Sequence, residues 1–222
     1  MPCEIRWFPT SLCELRERVS RPVLAPSHPE LRNCKMIHYF HGLNGFMSSK
    51  AAILQDALGV PILAPIYHDE GEYFTALEAA IADAESRRLE RGVFIGTSLG
   101  GFAAYCAARR TGGVAFLINP CLRPWLSLKG RKDVTERWLL STCALAASLA
   151  SGPAARLVAF VNEDDERLGP FDDALTWAGI TEVRSFRSGG HRAENFATEI
   201  VPEIRLDYLA ARPSIAETHH EH

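Results

Sequence analysis

Val93-Phe94-Ile95-Gly96-Thr97-Ser98-Leu99-Gly100-Gly101 runs directly into Phe102-Ala103-Ala104-Tyr105-Cys106-Ala107-Ala108. The first part opens on β-formers. The second is alanine-rich and reads as helix. Between them lies Gly-x-Ser-x-Gly with Ser98 at its centre, the pattern of a tight strand-to-helix turn. A serine carried on such a turn has a strained backbone, so the residues two places away must lack side chains. The turn also sets Ser98 at a helix N-terminus, where free N–H groups face whatever the hydroxyl attacks. The pentapeptide alone is weak. A strand before it and a helix after it give it weight, against the plainer reading of a glycine-rich turn with an incidental serine.

On either side of this turn, strands alternate with helices. Met36–Phe40 reads as a strand ending in His41-Gly42-Leu43-Asn44-Gly45, with a helix from Ser48 to Leu58 capped by Ser48 or Ser49. Val60–Ala64 is the next strand. Phe74, Leu77, Ile81 and Ala84 then fall at helical spacing within a long helix over 72–91 that Gly92 ends. Beyond the central helix, Val114–Ile118 and Leu157–Val161 read as buried strands, and Glu182–Phe186 as a further one after a helix over 171–177. The chain then continues as helix through Leu209, restarted at Pro202. Strands that are apolar on both faces predict a mostly parallel twisted sheet with helices on each side.

The 222 residues fit one domain with a sizeable core, and 47% hydrophobic with 23% charged residues is ordinary globular composition. Lys plus Arg is 24 and Asp plus Glu is 27, a formal net charge of -3, which argues against a nucleic-acid partner. The N-terminus lacks a basic region followed by an apolar one, so the expectation is a cytoplasmic protein. The longest uncharged run, between Arg137 and Arg156, is broken by Ser141, Ser148, Gly152 and Pro153 and is too short in its apolar part to span a bilayer. None of the 6 cysteines forms a Cys-x-x-Cys pair, so no metal is expected and free thiols are. No cofactor is called for. A homodimer is left open.

A serine nucleophile needs a base to take its proton and an acid to hold that base in the right tautomer. In a sheet of this kind such groups sit at the carboxyl ends of strands. His28, His38, His41 and His68 all precede Ser98. Only His191, in Gly189-Gly190-His191, follows it at a strand end and outside the terminal tail. The acid should follow the strand ending at Val161. The usual spacing from Asn162 favours Asp165, with Asp164 still open; Asp133 is a distant third, and Asp172 and Asp173 belong in the first turn of a helix. The oxyanion that forms on attack needs two N–H donors, and Leu99 and Leu43 are the candidates. His41 reads as the prop of the Leu43 loop rather than as a base.

Tyr39-Phe40-His41-Gly42-Leu43-Asn44, Gly96–Gly101, Asn119-Pro120 with Arg123-Pro124, Asp165-Glu166 and Gly189-Gly190-His191 together resemble the YqiA-like esterases, small bacterial α/β-hydrolases. The resemblance covers about residues 35–210, and Asn-Pro-x-x-Arg-Pro is its most specific piece. It implies an α/β-hydrolase fold with a small helical lid segment, and hydrolysis of carboxylic esters or thioesters by Ser98, Asp165 and His191. Two features depart from the family. Residues 1–34 have no counterpart, and the acidic turn reads Asn-Glu-Asp-Asp where the family has a Gly-Asp-type turn.

The expected organisation is an N-terminal extension over 1–34, a hydrolase domain over 35–211 and a disordered tail over 212–222. Residues 122–151 are expected to form the lid. Trp125, Leu126, Leu128, Trp138, Leu139, Leu140, Leu145 and Leu149 give that segment more apolar surface than a solvated loop needs. Substrate contacts are expected from Leu43, Asn44, Tyr67 and Trp125. The competing class is a non-catalytic scaffold of the same fold, since fold alone does not decide function.

Overall fold

In the computed structural model, residues 36–43, 45, 49–87, 92–149 and 152–210 are described. The expectations for residues 1–34, for the 212–222 tail and for Asn44 lie outside them. The elements follow in order: β1 (Ile37–Phe40), α1 (Ser49–Leu58), β2 (Ile62–Leu63), α2 (Glu70–Ser86), β3 (Val93–Thr97), α3 (Leu99–Thr111), β4 (Val114–Ile118), α4 (Pro124–Ser127), α5 (Glu136–Ser148), β5 (Arg156–Asn162), α6 (Asp172–Ala178), β6 (Glu182–Phe186) and α7 (Val201–Ala210). A single π-type turn, Phe196–Ile200, leads into α7 through the bond from Val201 N–H to the Phe196 carbonyl.

Six strands form one sheet in the order β2-β1-β3-β4-β5-β6, every neighbouring pair parallel. β3 therefore lies inside the sheet, with Gly96 opposite Phe40 of β1 and Leu117 of β4. Every residue of β1, β3 and β4 is buried, which is why their sequences carry no polar alternation.

Alternate side chains feed two cores. Phe40, Phe94, Ala115, Leu117, Ala159 and Val161 point to one face, under α2, α3 and α6. Ile37, Tyr39, Ile95, Phe116, Ile118 and Phe160 point to the other, under α1 and α7. Burial of this apolar area at about 25 cal/mol per Å² is the main term holding helices to sheet.

Local differences from the sequence reading have physical reasons. β2 shrinks to two residues because Pro61 and Pro65 bound it at the sheet edge. α2 starts earlier than expected because Asp69 caps it, its carboxylate accepting the Glu72 N–H at 2.9 Å. The lid-like segment resolves into the one-turn α4 and the longer α5, which Thr135 caps. Its apolar residues divide. Leu128, Trp138 and Leu149 are buried on the core, while Leu126 and Leu140 stay exposed at 58% and 65%.

Candidate active site

The turn between β3 and α3 holds Ser98 at φ 54° and ψ -120°, a conformation that costs a non-glycine residue energy. The flanking glycines are needed for close approach. A Cβ on Gly96 would stand 2.0 Å from the Gly100 carbonyl oxygen, and one on Gly100 would stand 2.1 Å from the Phe40 carbonyl oxygen. The turn is anchored on β4: Ser98 N–H donates to the Ile118 carbonyl at 3.0 Å, and Cys121 N–H donates to the Ser98 carbonyl at 2.9 Å. Ser98 itself is half-buried, so its hydroxyl can meet a ligand.

His191 and Asp165 reach this hydroxyl from two other strand ends. His191 Nε2 lies 3.0 Å from Ser98 Oγ, and His191 Nδ1 lies 2.9 Å from Asp165 Oδ2. Asp165 also accepts the Arg167 N–H at 2.8 Å and the Leu168 N–H at 2.9 Å on Oδ1. Burial alone would raise this carboxyl, but the bonds from His191, Leu168 and Arg167 outweigh it and hold Asp165 below the usual carboxylate range. An ionised carboxylate only accepts, so Nδ1 carries the imidazole proton and Nε2 is left to accept from Ser98.

Asp164 has a different place. Its Oδ1 accepts the Gly190 N–H at 2.8 Å and its Oδ2 the Gly189 N–H at 3.2 Å, while Glu166 Oε2 accepts the His191 N–H at 3.1 Å. The acidic turn thus faces the histidine loop three times, with Asp165 on the ring and its two neighbours on the backbone. Sequence reasoning missed the roles of Asp164 and Glu166. The signal available was an acidic run opposite Gly-Gly, whose bare N–H groups invite carboxylates.

The two N–H groups expected to face an oxyanion are oriented by their own peptide units. The Ser98 carbonyl is held by Gly101 N–H and Cys121 N–H, both at 2.9 Å, so the trans peptide turns the Leu99 N–H the opposite way. The Gly42 carbonyl is held by His41 Nδ1 at 2.7 Å and Gly45 N–H at 3.0 Å, which orients the Leu43 N–H in the same manner. Gly42 abuts the serine: a Cβ there would lie 3.2 Å from Ser98 Cβ. Burial pushes the His41 imidazole below its ordinary range despite the bond to Gly42, so His41 is a neutral prop.

Tyr67, expected to contact substrate, is buried. Its ring stacks on His41 at 3.9 Å and its hydroxyl donates to the His41 carbonyl, so its free polar atom is already used. Trp125 is half-buried and packs edge-on against Phe102 and Trp177. The Cys121 thiol, next to the serine turn, is pushed up to about 12, chiefly by burial, and so is no rival nucleophile. Among the described residues no three His, Cys, Asp or Glu side chains are grouped to hold a metal ion, and Cys106, Cys121 and Cys143 are free thiols. Among the same residues no helix is long and apolar enough to cross a membrane. The arrangement is suited to activating a hydroxyl and stabilising the oxyanion that its attack creates.

The family model of uncharacterised protein family UPF0227 matches residues 36–150. No curated protein matches the chain in sequence. Among solved structures, Est1E from Butyrivibrio proteoclasticus superposes with a TM-score of 0.63 at 12% identity, over 80% of this chain and 88% of that one. Est1E with ferulic acid bound gives the same TM-score and identity over 81% and 90%. The metagenome-derived lipolytic enzymes LipS and LipT are represented at a TM-score of 0.57 and 16% identity, over 81% and 95%. A proline iminopeptidase-related protein from Thermus thermophilus follows at 0.53 and 17%, over 81% and 90%. These likenesses, with the parallel sheet and serine turn, make the fold that of the α/β-hydrolases.

Proposed function

The chain belongs to uncharacterised protein family UPF0227, and from that premise we propose that it is a serine hydrolase cleaving carboxylic esters through an acyl-enzyme. One observation carries the reading. Asp165, His191 and Ser98 form an unbroken hydrogen-bonded line, 2.9 Å and then 3.0 Å, ending at a serine in a strained turn. In this reading Ser98 Oγ attacks the carbonyl carbon while His191 Nε2 takes its proton. Asp165 steadies the resulting imidazolium, and the Leu43 and Leu99 N–H groups meet the carbonyl oxygen as it becomes O⁻. The tetrahedral intermediate collapses, the alcohol leaves with the proton from His191, and water repeats the sequence on the acyl-serine. Thioesters and lactones offer the same carbonyl and belong to the same class.

The substrate is a small ester, and we place its acyl chain under the segment 122–151. That segment follows the carboxyl end of β4 and keeps half-buried Trp125, Leu139 and Leu145 against the core. Each buried methylene is worth about 0.8 kcal/mol, so each added carbon should raise kcat/KM by up to about fourfold until the pocket fills. The test is a panel of p-nitrophenyl esters from acetate to palmitate. Because Est1E has been solved with ferulic acid, a feruloyl ester belongs in the panel. The expected profile rises over short and medium chains and then falls. A flat profile to octanoate, or steady gains to palmitate, would remove the segment from the acyl site. No turnover of any member, with no reaction at Ser98, would favour a binding scaffold.

A further inference from the structure

Asn119 stands directly after β4 with no exposed surface and with φ 41°, a left-handed backbone that asparagine tolerates better than most residues. The peptide unit that precedes it is shared between two strand ends: the Ile118 carbonyl accepts Ser98 N–H at 3.0 Å, and Asn119 N–H donates to the Phe160 carbonyl at 2.9 Å. Its side chain continues the same linkage. Oδ1 accepts the Asn162 N–H at 2.8 Å, and Nδ2 donates to the Gly190 carbonyl at 2.9 Å and more weakly to the His191 carbonyl at 3.4 Å. Asn119 itself therefore joins the strand end that leads to Asp165 to the histidine loop, while the carbonyl of its neighbour Ile118 holds the serine turn.

The histidine loop depends on such anchors. Gly189 and Gly190 have φ of 140° and 57°, and a Cβ on Gly189 would meet the Asn195 and Asn162 amides at 2.2 and 2.7 Å. The loop has no apolar anchor of its own at Gly189 and Gly190, and its backbone is held by polar groups. Asp164 and Glu166 take its N–H groups. Asn119 and Asn162, the latter at 3.0 Å, take the Gly190 carbonyl, and Asn195 Nδ2 holds Asn162 Oδ1 at 3.0 Å. We propose that Asn119 is a positioning residue that sets the spacing of the His191 loop from the strand end that leads to Asp165, an inference that rests on the serine-hydrolase reading.

The test compares Asn119→Asp and Asn119→Ala with wild type. In Asn119→Asp one carboxylate oxygen can keep the Asn162 N–H. The other then faces the Gly190 carbonyl oxygen at the 2.9 Å spacing with no proton to share. A carboxyl buried there titrates upward, and its protonated form can still donate. The expected result is a kcat deficit that widens with pH. It should be within about tenfold at pH 6 and reach about a hundredfold at pH 9, the scale of a misplacement near 1 Å, with KM within about threefold throughout. Asn119→Ala should lose about a hundredfold at every pH.

A second readout needs no catalysis. Amide hydrogen exchange over residues 188–194 should quicken in both variants while β4 and β5 stay protected. Asn162→Ala removes the second donor to the Gly190 oxygen and the acceptor of the Asn195 amide, and leaves the Asn119 donor in place. It should show smaller losses of the same kind, and it decides the matter if position 119 does not tolerate change. A kcat ratio below about threefold across the pH range, or loop exchange equal to wild type, overturns the proposal. If wild type turns over esters and loop exchange is unchanged, the enzymatic reading stands and the positioning role falls. If wild type cleaves no ester while exchange quickens in the variants, the linkage stands and the enzymatic reading falls.

Discussion

Replacing Asp165 by Asn separates the two neighbouring aspartates that the sequence leaves in competition. The new amide oxygen would stay with the Arg167 and Leu168 N–H groups, which hold Oδ1 at 2.8 and 2.9 Å. Its NH2 would then face His191 Nδ1 across 2.9 Å. Two donors cannot face each other, so the imidazole moves its proton to Nε2. That nitrogen, 3.0 Å from Ser98 Oγ, can no longer accept the serine proton. A triad held in the wrong tautomer loses about 10⁴ in kcat, equivalent to about 5.5 kcal/mol at the transition state. Asp164→Asn keeps one oxygen for Gly190 N–H and gives up one charge-assisted bond to the Gly189 N–H. If the whole of that bond were felt in the position of His191, about 1.5 kcal/mol, the loss would be near tenfold. The assay is steady-state hydrolysis of a p-nitrophenyl ester, with circular dichroism melts to show that both variants fold. Asp165→Asn within tenfold of wild type, or Asp164→Asn falling as far as Asp165→Asn, would refute the reasoning.

Two further outcomes follow from the geometry. His41→Phe keeps the stack on Tyr67 but removes the donor to the Gly42 carbonyl, so kcat should fall about 10- to 100-fold with KM little changed; a drop in melting temperature with kcat intact would contradict it. Burial lowers His38 and His41 from 6.5, against the opposing bonds to Asp83 and Gly42. The unfolded chain then takes up protons that the folded chain refuses, so folding stability should fall as pH drops below about 6.5. The slope is at most about 1.4 kcal/mol per pH unit for each imidazole, read from denaturant midpoints between pH 7.5 and 5.5, and stability that rises on that descent would be against it.

The alternation of strand and helix was legible because β1, β3 and β4 are buried on both faces and so carry unbroken apolar runs. The serine turn was legible because Gly96 and Gly100 leave no room for a Cβ against backbone oxygens, a constraint that writes itself into residue type. Loop order along the chain singled out Ser98 and His191 and narrowed the acid to Asp164 or Asp165, and it is Asp165 that lies on the His191 ring. What the sequence hides is any role carried by backbone contacts. Asp164 and Glu166 are ordinary acidic residues until their oxygens are seen on the 189–191 N–H groups. Asn119 stood out only through a motif, because the bonds that use it join residues far apart in sequence. The burial of Tyr67 against His41 comes from tertiary packing, which its place in the sequence does not display. The apolar surplus of 122–151 could not be divided in advance between core and surface. Which of Trp138 and Leu140 faces inward depends on the phase of α5, which Thr135 sets by capping it.

The central claim is that Ser98 is the nucleophile, and intact-protein mass spectrometry after fluorophosphonate treatment tests it most directly. One adduct is expected on wild type, mapped by peptide analysis to Ser98, with none on folded Ser98→Ala and ester hydrolysis lost along with it. An adduct that survives Ser98→Ala, or hydrolysis by that variant within tenfold of wild type, would contradict the claim.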